Sequence, residues 1–65
     1  MKPGELRTFS GFVIAGNGRF FPPGTSVLLV ERIDASSGSK WKVLVDGGQE
    51  IVDEFTIERR SHEAR

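Results

Sequence analysis

Alternating apolar and polar residues predict two central β-strands, at residues 26–33 and 40–46. In the second strand Trp41, Val43 and Val45 alternate with mostly polar side chains, as expected of a strand with one buried and one solvated face. The first strand contains four consecutive apolar residues, which indicates that both of its faces are covered over part of its length.

Side-chain alternation also predicts which residues of the first strand share a face. Val27, Leu29 and Ile33 are expected on one face, and Leu28, Val30 and Arg32 are expected on the other. The inner faces of the two strands together predict one small hydrophobic core.

Polar segments predict the connections that flank the second strand. Residues 34–39 carry only small side chains, which bury too little surface to hold a fixed element, so a mobile hairpin loop is expected there. Residues 46–49 predict a tight reversal in which Gly47 and Gly48 both supply positive φ values.

The remaining C-terminal residues are predicted to complete the sheet. Residues 49–52 should pair back against the second strand, and residues 52–55 should form a bend or a helical turn. Residues 56–59 are expected to form a short last strand, with Phe55 and Ile57 on its inner side.

The N-terminal third predicts one further strand and a turn. Residues 8–15 alternate in the manner of a strand, in which Gly11 marks a bulge or the close approach of another strand. Residues 16–18, Gly-Asn-Gly, predict a hairpin turn because asparagine and glycine tolerate left-handed conformations.

The order of elements from residue 24 to residue 59 resembles the second half of a Src-homology-3-like barrel. Gly24-Thr25 stands where the second strand of that fold starts, and Trp41 opens the third strand. A glycine-containing turn follows, and the apolar-acidic pair Ile57-Glu58 ends the domain. The resemblance implies an all-β fold, a small five-stranded SH3-like barrel. The chain lacks tyrosine and an acidic-aromatic opening, so recognition of proline-rich peptides is not implied.

An oligonucleotide-binding-type barrel is the alternative fold. That fold usually places a helix between its third and fourth strands, and residues 46–49 are too few to form one. In either case the predicted organisation is a flexible N-terminal arm at residues 1–7, a single β-barrel domain at residues 8–59 and a flexible C-terminal tail at residues 60–65.

Composition limits the chemistry that is expected of the chain. It has 65 residues, no cysteine and one histidine, His62, so neither a disulfide nor a zinc site is expected, and no cofactor is implied. Nine basic and nine acidic side chains balance, whereas a dedicated nucleic-acid binder usually has a basic excess. No apolar run approaches the roughly 20 residues of a membrane span, and no signal-peptide pattern is present, so a cytoplasmic protein without membrane contact is predicted.

The tetrapeptide Phe20-Phe21-Pro22-Pro23 is the first candidate for a binding site. The two prolines force an extended path and lack backbone donors, so the segment is expected to cross an open end of the barrel. Its phenylalanines either complete the core or form an exposed patch for a protein partner, together with Trp41. For Trp41 itself, the alternation with Val43 and Val45 favours the core.

A basic patch is the second candidate. Arg19, Arg32, Lys40 and Lys42 would lie near exposed aromatic residues, which is typical of single-strand nucleic-acid binding. The competing interpretation is an ordinary sheet face of mixed charge, because acidic residues interrupt the patch.

No catalytic triad is evident, because the only histidine lies in the tail and the serines cluster in a predicted loop. The adjacent carboxylates Asp53-Glu54 are expected to be solvated turn residues. The sequence therefore predicts a non-enzymatic protein-interaction module or a small subunit of a larger assembly, with a protein partner or self-association. The alternative is a nucleic-acid-binding accessory or regulatory barrel.

Overall fold

The computed structural model describes residues 1–64, and these form a mostly β structure in which one short helix interrupts the last part of the chain. In chain order the elements are β1 (Leu6–Phe9), β2 (Val13–Ile14), β3 (Phe20–Phe21), β4 (Ser26–Ala35), β5 (Gly38–Val45), β6 (Gly48–Asp53), α1 (Glu54–Arg60) and β7 (Ser61–Glu63). Five strands form an antiparallel sheet in the order β6-β5-β4-β1-β7, and β2 and β3 form a separate hairpin. The predicted all-β class is confirmed. The outer strands β6 and β7 are not paired with each other in the described part of the chain, so the sheet is open.

The long β4–β5 hairpin confirms the two strands that alternation predicts. A β-bulge between Leu29 and Glu31 adds one residue to β4 and reverses the alternation beyond it. Arg32 therefore lies opposite the buried Trp41, and Ile33 lies opposite Lys40 on the other face. The prediction that Ile33 shares a face with Val27 and Leu29 is wrong for this reason.

The predicted mobile loop at residues 34–39 is also wrong, because the ladder continues through most of it. Asp34 pairs with Ser39 and Ala35 pairs with Gly38, which leaves only Ser36 and Ser37 as turn residues. Side chains explain the added length, since Arg32 donates hydrogen bonds to both the Asp34 carboxylate (2.8 Å) and the Ser39 hydroxyl (2.7 Å).

The turn between β5 and β6 lies one residue earlier than predicted. Val45 pairs with Gly48, so the loop contains only Asp46 and Gly47, with φ values of 51° and 76°. Positive φ at both central residues is the requirement of a type I′ hairpin turn, which aspartate tolerates and glycine favours. Gly48 has no positive φ and belongs to the strand.

The adjacent glycines Gly47 and Gly48 provide a matched test of this turn. Gly47→Ala should lower the free energy of unfolding by roughly 1–2 kcal/mol, because a β-carbon disfavours the left-handed conformation. Gly48→Ala should change it by less than about 0.5 kcal/mol, since its β-carbon would meet only the Val45 carbonyl oxygen, at 3.8 Å. Urea unfolding measures both, and equal losses would contradict the turn geometry.

The predicted strand at residues 8–15 is two shorter strands. β1 starts earlier, at Leu6, and pairs with both β4 and β7, while β2 turns away to pair with β3. The chain leaves the large sheet after Phe9, where the Ser10 amide donates a hydrogen bond to the Arg60 carbonyl (2.7 Å). Phe9 and Val13 both reach the core, at 1% exposure each, although they lie in different sheets. The reversal predicted at residues 16–18 is confirmed as the connection between β2 and β3.

The predicted last strand at residues 56–59 is wrong, because these residues belong to α1. Glu54 lies in the first helical turn and Arg59 and Arg60 in the last, an arrangement of charge that suits the helix dipole. Residues two apart on a helix point in nearly opposite directions, so Ile57 is fully buried while Phe55 is 65% exposed. Phe55 is thus not on the inner side, whereas the inner position of Ile57 is confirmed.

One edge strand of the sheet is β7, which lies within the residues predicted as a tail. Its backbone pairs with β1, and the Ala64 amide donates to the Leu6 carbonyl (2.9 Å). The helix ends at Arg60 because Ser61 adopts an extended conformation and starts this pairing. Residues 6–7 and 61–63 therefore belong to the sheet.

Substitutions at Ile57 and Phe55 distinguish a helix from a strand in this segment. Ile57→Ala should lower the free energy of unfolding by about 2–5 kcal/mol, because it leaves a cavity in the core. Phe55→Ala should lower it by less than about 1 kcal/mol, because this ring lies on the surface. Similar large losses at both positions, measured by chemical unfolding, would support a strand in which both side chains face inward.

The core lies between the inner face of the large sheet, the β2–β3 hairpin and α1. Its buried apolar residues are Phe9, Val13, Ala15, Phe21, Val27, Leu29, Trp41, Val43, Val45, Val52 and Ile57. The core position predicted for Trp41 is confirmed at 1% exposure. Within residues 1–64, no helix has the length and apolar character needed to cross a membrane.

Candidate functional site

The structure separates the residues predicted as an aromatic-proline patch. Trp41 and Phe21 are buried in the core and offer no side-chain surface to a partner, while Phe20, Pro22 and Pro23 are exposed. Neighbouring residues of a strand point to opposite faces, so Phe21 faces the core beside Phe9 and Phe20 faces solvent. Only Phe20 of the three predicted aromatic residues is available for contact.

Phe20 belongs to a larger exposed surface, which sequence reasoning missed. Three further large apolar side chains lie beside it, namely Phe12, Ile14 and Phe55, and two arginines of α1 complete the rim. We call this the aromatic–arginine surface, and it consists of Phe12, Ile14, Phe20, Phe55, Arg59 and Arg60. With Val13 and Thr56 these residues line an open groove of about 380 Å³ between the β2–β3 hairpin and α1.

Direct contacts fix the geometry of this surface. The rings of Phe12 and Phe20 stack with centroids 5.1 Å apart and an interplanar angle of 27°. The Arg59 guanidinium lies over the Phe55 ring, 5.2 Å from its centroid. Arg60 joins helix to hairpin, because its Nη1 donates a hydrogen bond to the Phe12 carbonyl oxygen (2.9 Å). The two walls of the groove are therefore held together.

A sequence signal for part of this surface exists. Phe12 and Ile14 are two residues apart in an extended segment and therefore share a face, and Ile14 is the cross-strand partner of Phe20. Phe55 and Arg59 are four residues apart, which is the spacing of neighbours on a helix. Recognising the second pair requires knowing that α1 is a helix.

The basic residues predicted as a nucleic-acid patch are not brought together. Arg19 and Arg32 lie towards the face that carries Trp41 and Val43, whereas Lys40 and Lys42 alternate with those two residues on β5. Each of the four also has a carboxylate within ion-pair distance; the pairs are Arg19 with Glu50 and Asp46 (both 3.0 Å), Arg32 with Asp34 (2.8 Å) and Glu54 (2.9 Å), Lys40 with Asp53 (2.6 Å), and Lys42 with Glu31 (3.5 Å). This arrangement is the mixed-charge face that the competing interpretation describes.

Arg59 and Arg60 differ from those four residues. Among residues 1–64, no carboxylate forms an ion pair with either of them, and no acidic residue lines the groove. The aromatic–arginine surface therefore combines exposed apolar area with positive charge that the described residues do not neutralise.

Glu54 is not the solvated turn residue that the sequence predicts, because its carboxylate bonds to two other side chains. Its Oε2 accepts hydrogen bonds from Arg32 Nε (2.9 Å) and from the buried indole Nε1 of Trp41 (2.7 Å). These two contacts, with Arg32 the stronger, lower the pKa of Glu54 below its ordinary value. Its neighbour Asp53 pairs with Lys40, so the two carboxylates point to different partners rather than to a shared substrate.

The lowered pKa of Glu54 gives a pH-dependent contribution to stability. A carboxylate that is more acidic folded than unfolded stabilises the protein above its unfolded pKa of about 4.3, and the contribution disappears as pH falls through the folded pKa. Glu54→Gln should lower the free energy of unfolding by roughly 1 kcal/mol at neutral pH, because the pair with Arg32 is partly exposed. The difference from the wild type should shrink below about pH 4 in thermal or urea unfolding. A pH-independent difference would contradict this role.

His62, the one histidine of the chain, is not among the residues that line the groove. It is exposed on β7 opposite Thr8. Within residues 1–64, histidine, aspartate and glutamate side chains form no group of three or more that could hold a metal ion.

Comparisons with protein-family models, curated proteins and solved structures found no match for this chain. The aromatic–arginine surface is thus the candidate functional site.

Proposed function

We propose that this chain is a non-enzymatic protein-interaction module that binds its partner through the aromatic–arginine surface. The observation that supports this most is the grouping of Phe12, Ile14, Phe20 and Phe55, each more than half exposed, around one groove. Burial of one such side chain is worth roughly 1.5–3 kcal/mol, so a chain with a small core forgoes a large stabilisation by exposing four. Contiguous exposed apolar surface of this kind is typical of interaction sites.

The composition of the surface supports the same proposal. Aromatic residues and arginine are enriched in protein interfaces, where they supply most of the binding energy. The stacked Phe12 and Phe20 rings and the Arg60 hydrogen bond to Phe12 hold the surface before a partner arrives. A preformed surface binds with a smaller loss of conformational entropy.

We further propose that the open sheet curls into a partly open SH3-like barrel, with the hairpin closing one side. Two backbone hydrogen bonds support this, from the Gly16 amide to the Ile51 carbonyl of β6 (2.8 Å) and from the Ser10 amide to the Arg60 carbonyl (2.7 Å).

An intracellular location is part of the proposal, because a chain without cysteine has no need of an oxidising compartment.

The proposal is tested by selecting binders from a random peptide library displayed on phage, with the wild-type protein as bait. Selected peptides should shift the backbone amide NMR signals of the β2–β3 hairpin and α1. Phe20→Ser and Phe55→Ser should each weaken binding by about tenfold or more, which corresponds to loss of one interface anchor.

Leu6→Ser provides the matched control for those two variants. Leu6 is also a large exposed apolar residue, at 51% exposure, but it lies on β1 outside the groove. This substitution should leave peptide affinity unchanged within about twofold. Signal shifts confined to the face of Leu6, or equal losses in all three variants, would contradict the proposed surface.

A further inference from the structure

We infer that the aromatic–arginine surface selects acidic peptide segments, in which a large apolar side chain is flanked by carboxylates. This inference rests on the proposed function and specifies the chemistry of the partner. Its basis is the pairing of exposed apolar area with two guanidinium groups that have no ion-pair partner within residues 1–64.

The contrast with other cations of the chain carries the argument. Five of the other six basic side chains within residues 1–64 are paired with carboxylates of the chain itself, and these are Arg7, Arg19, Arg32, Lys40 and Lys42. The exception, Lys2, does not line the groove. Arg59 and Arg60 are instead held by a ring and by a backbone carbonyl, neither of which neutralises a positive charge. An acidic partner would complete the pairing that these two arginines lack.

The contacts of the two arginines leave donors for such a partner. Arg59 lies over the Phe55 ring, and this cation–π contact takes up no oxygen acceptor, so N–H groups of the guanidinium remain for a partner. Arg60 uses Nη1 for the Phe12 carbonyl, which is one donor position of a group with five N–H bonds. A planar guanidinium with free edge donors binds a carboxylate through two parallel hydrogen bonds.

Two other occupants fit these observations less well. A symmetric contact with a second copy would pack two of these surfaces together, and neither surface has a carboxylate to pair with the arginines of the other. A nucleic-acid strand gains affinity from many phosphate contacts, whereas only two unpaired arginines line this groove. An acidic peptide needs only one or two such contacts beside an apolar anchor.

The test compares three fluorescently labelled peptides of about ten residues by fluorescence anisotropy. The first carries one central tryptophan flanked by aspartate and glutamate, the second replaces these with asparagine and glutamine, and the third replaces them with lysine. The acidic peptide should bind about tenfold more tightly than the amide peptide, and the lysine peptide should bind most weakly. The preference should fall as salt rises from about 50 to about 500 mM.

Variants separate failure of this inference from failure of the proposed function. Arg59→Gln should reduce the preference for the acidic peptide several-fold while retaining affinity for the amide peptide, and Arg59→Lys should give an intermediate preference. Phe20→Ser should weaken both peptides equally. Lys42→Gln, which removes a paired cation outside the groove, should change neither.

Equal binding of the acidic and amide peptides, with no effect of Arg59→Gln, would overturn the inference and leave the binding surface standing. Phe20→Ser without effect on any peptide would overturn the surface itself. A labelled ten-nucleotide single strand that binds more tightly than the acidic peptide would overturn the assigned partner. Dimerisation that depends on protein concentration and is abolished by Phe20→Ser would also overturn the assigned partner, because it would make a second copy the occupant of the groove.

Discussion

The hydrogen bond from the Trp41 indole to the Glu54 carboxylate joins the core of the large sheet to the start of α1, which forms one wall of the groove. The indole is buried, so its N–H must find an acceptor within the protein, and Glu54 is the first residue of α1. This bond holds the first turn of α1 against β5. In the helix that follows, Ile57 points into the core and Phe55 points out, and Phe55 and Arg59 line the same groove as the hairpin.

Alternation in the sequence was sufficient to find β4 and β5 and to bury Trp41, because long strands repeat the same signal several times. The glycine turn after β5 then predicted β6. Alternation failed at residues 56–59, where a short run fits a strand and a helical turn equally well and only tertiary contacts decide. It also failed beyond Leu29, because a bulge is a local insertion that the polarity pattern does not reveal. In both cases the structure depends on neighbours that are distant in the chain.

The candidate site was recognised only at Phe20 for a similar reason. Its members come from the hairpin and from α1, which are separated by most of the large sheet in sequence, and nothing local indicates that they meet. The basic patch shows the opposite error, because the sequence predicted a cluster of positive charge that the structure does not form. Its charges are neutralised by carboxylates such as Glu50 and Glu54, whose positions follow from strand register and helix placement rather than from composition.

Arg19 links the β2–β3 hairpin to the β5–β6 turn and to β6. Its guanidinium bridges Glu50 and Asp46 and lies 4.9 Å from the Phe21 ring centroid, while its chain neighbour Phe20 faces solvent. The residue that anchors the hairpin and the solvent-exposed Phe20 are thus consecutive in the chain and oppositely directed. A single peptide bond therefore separates the exposed Phe20 ring from two ion pairs on the other face of the hairpin.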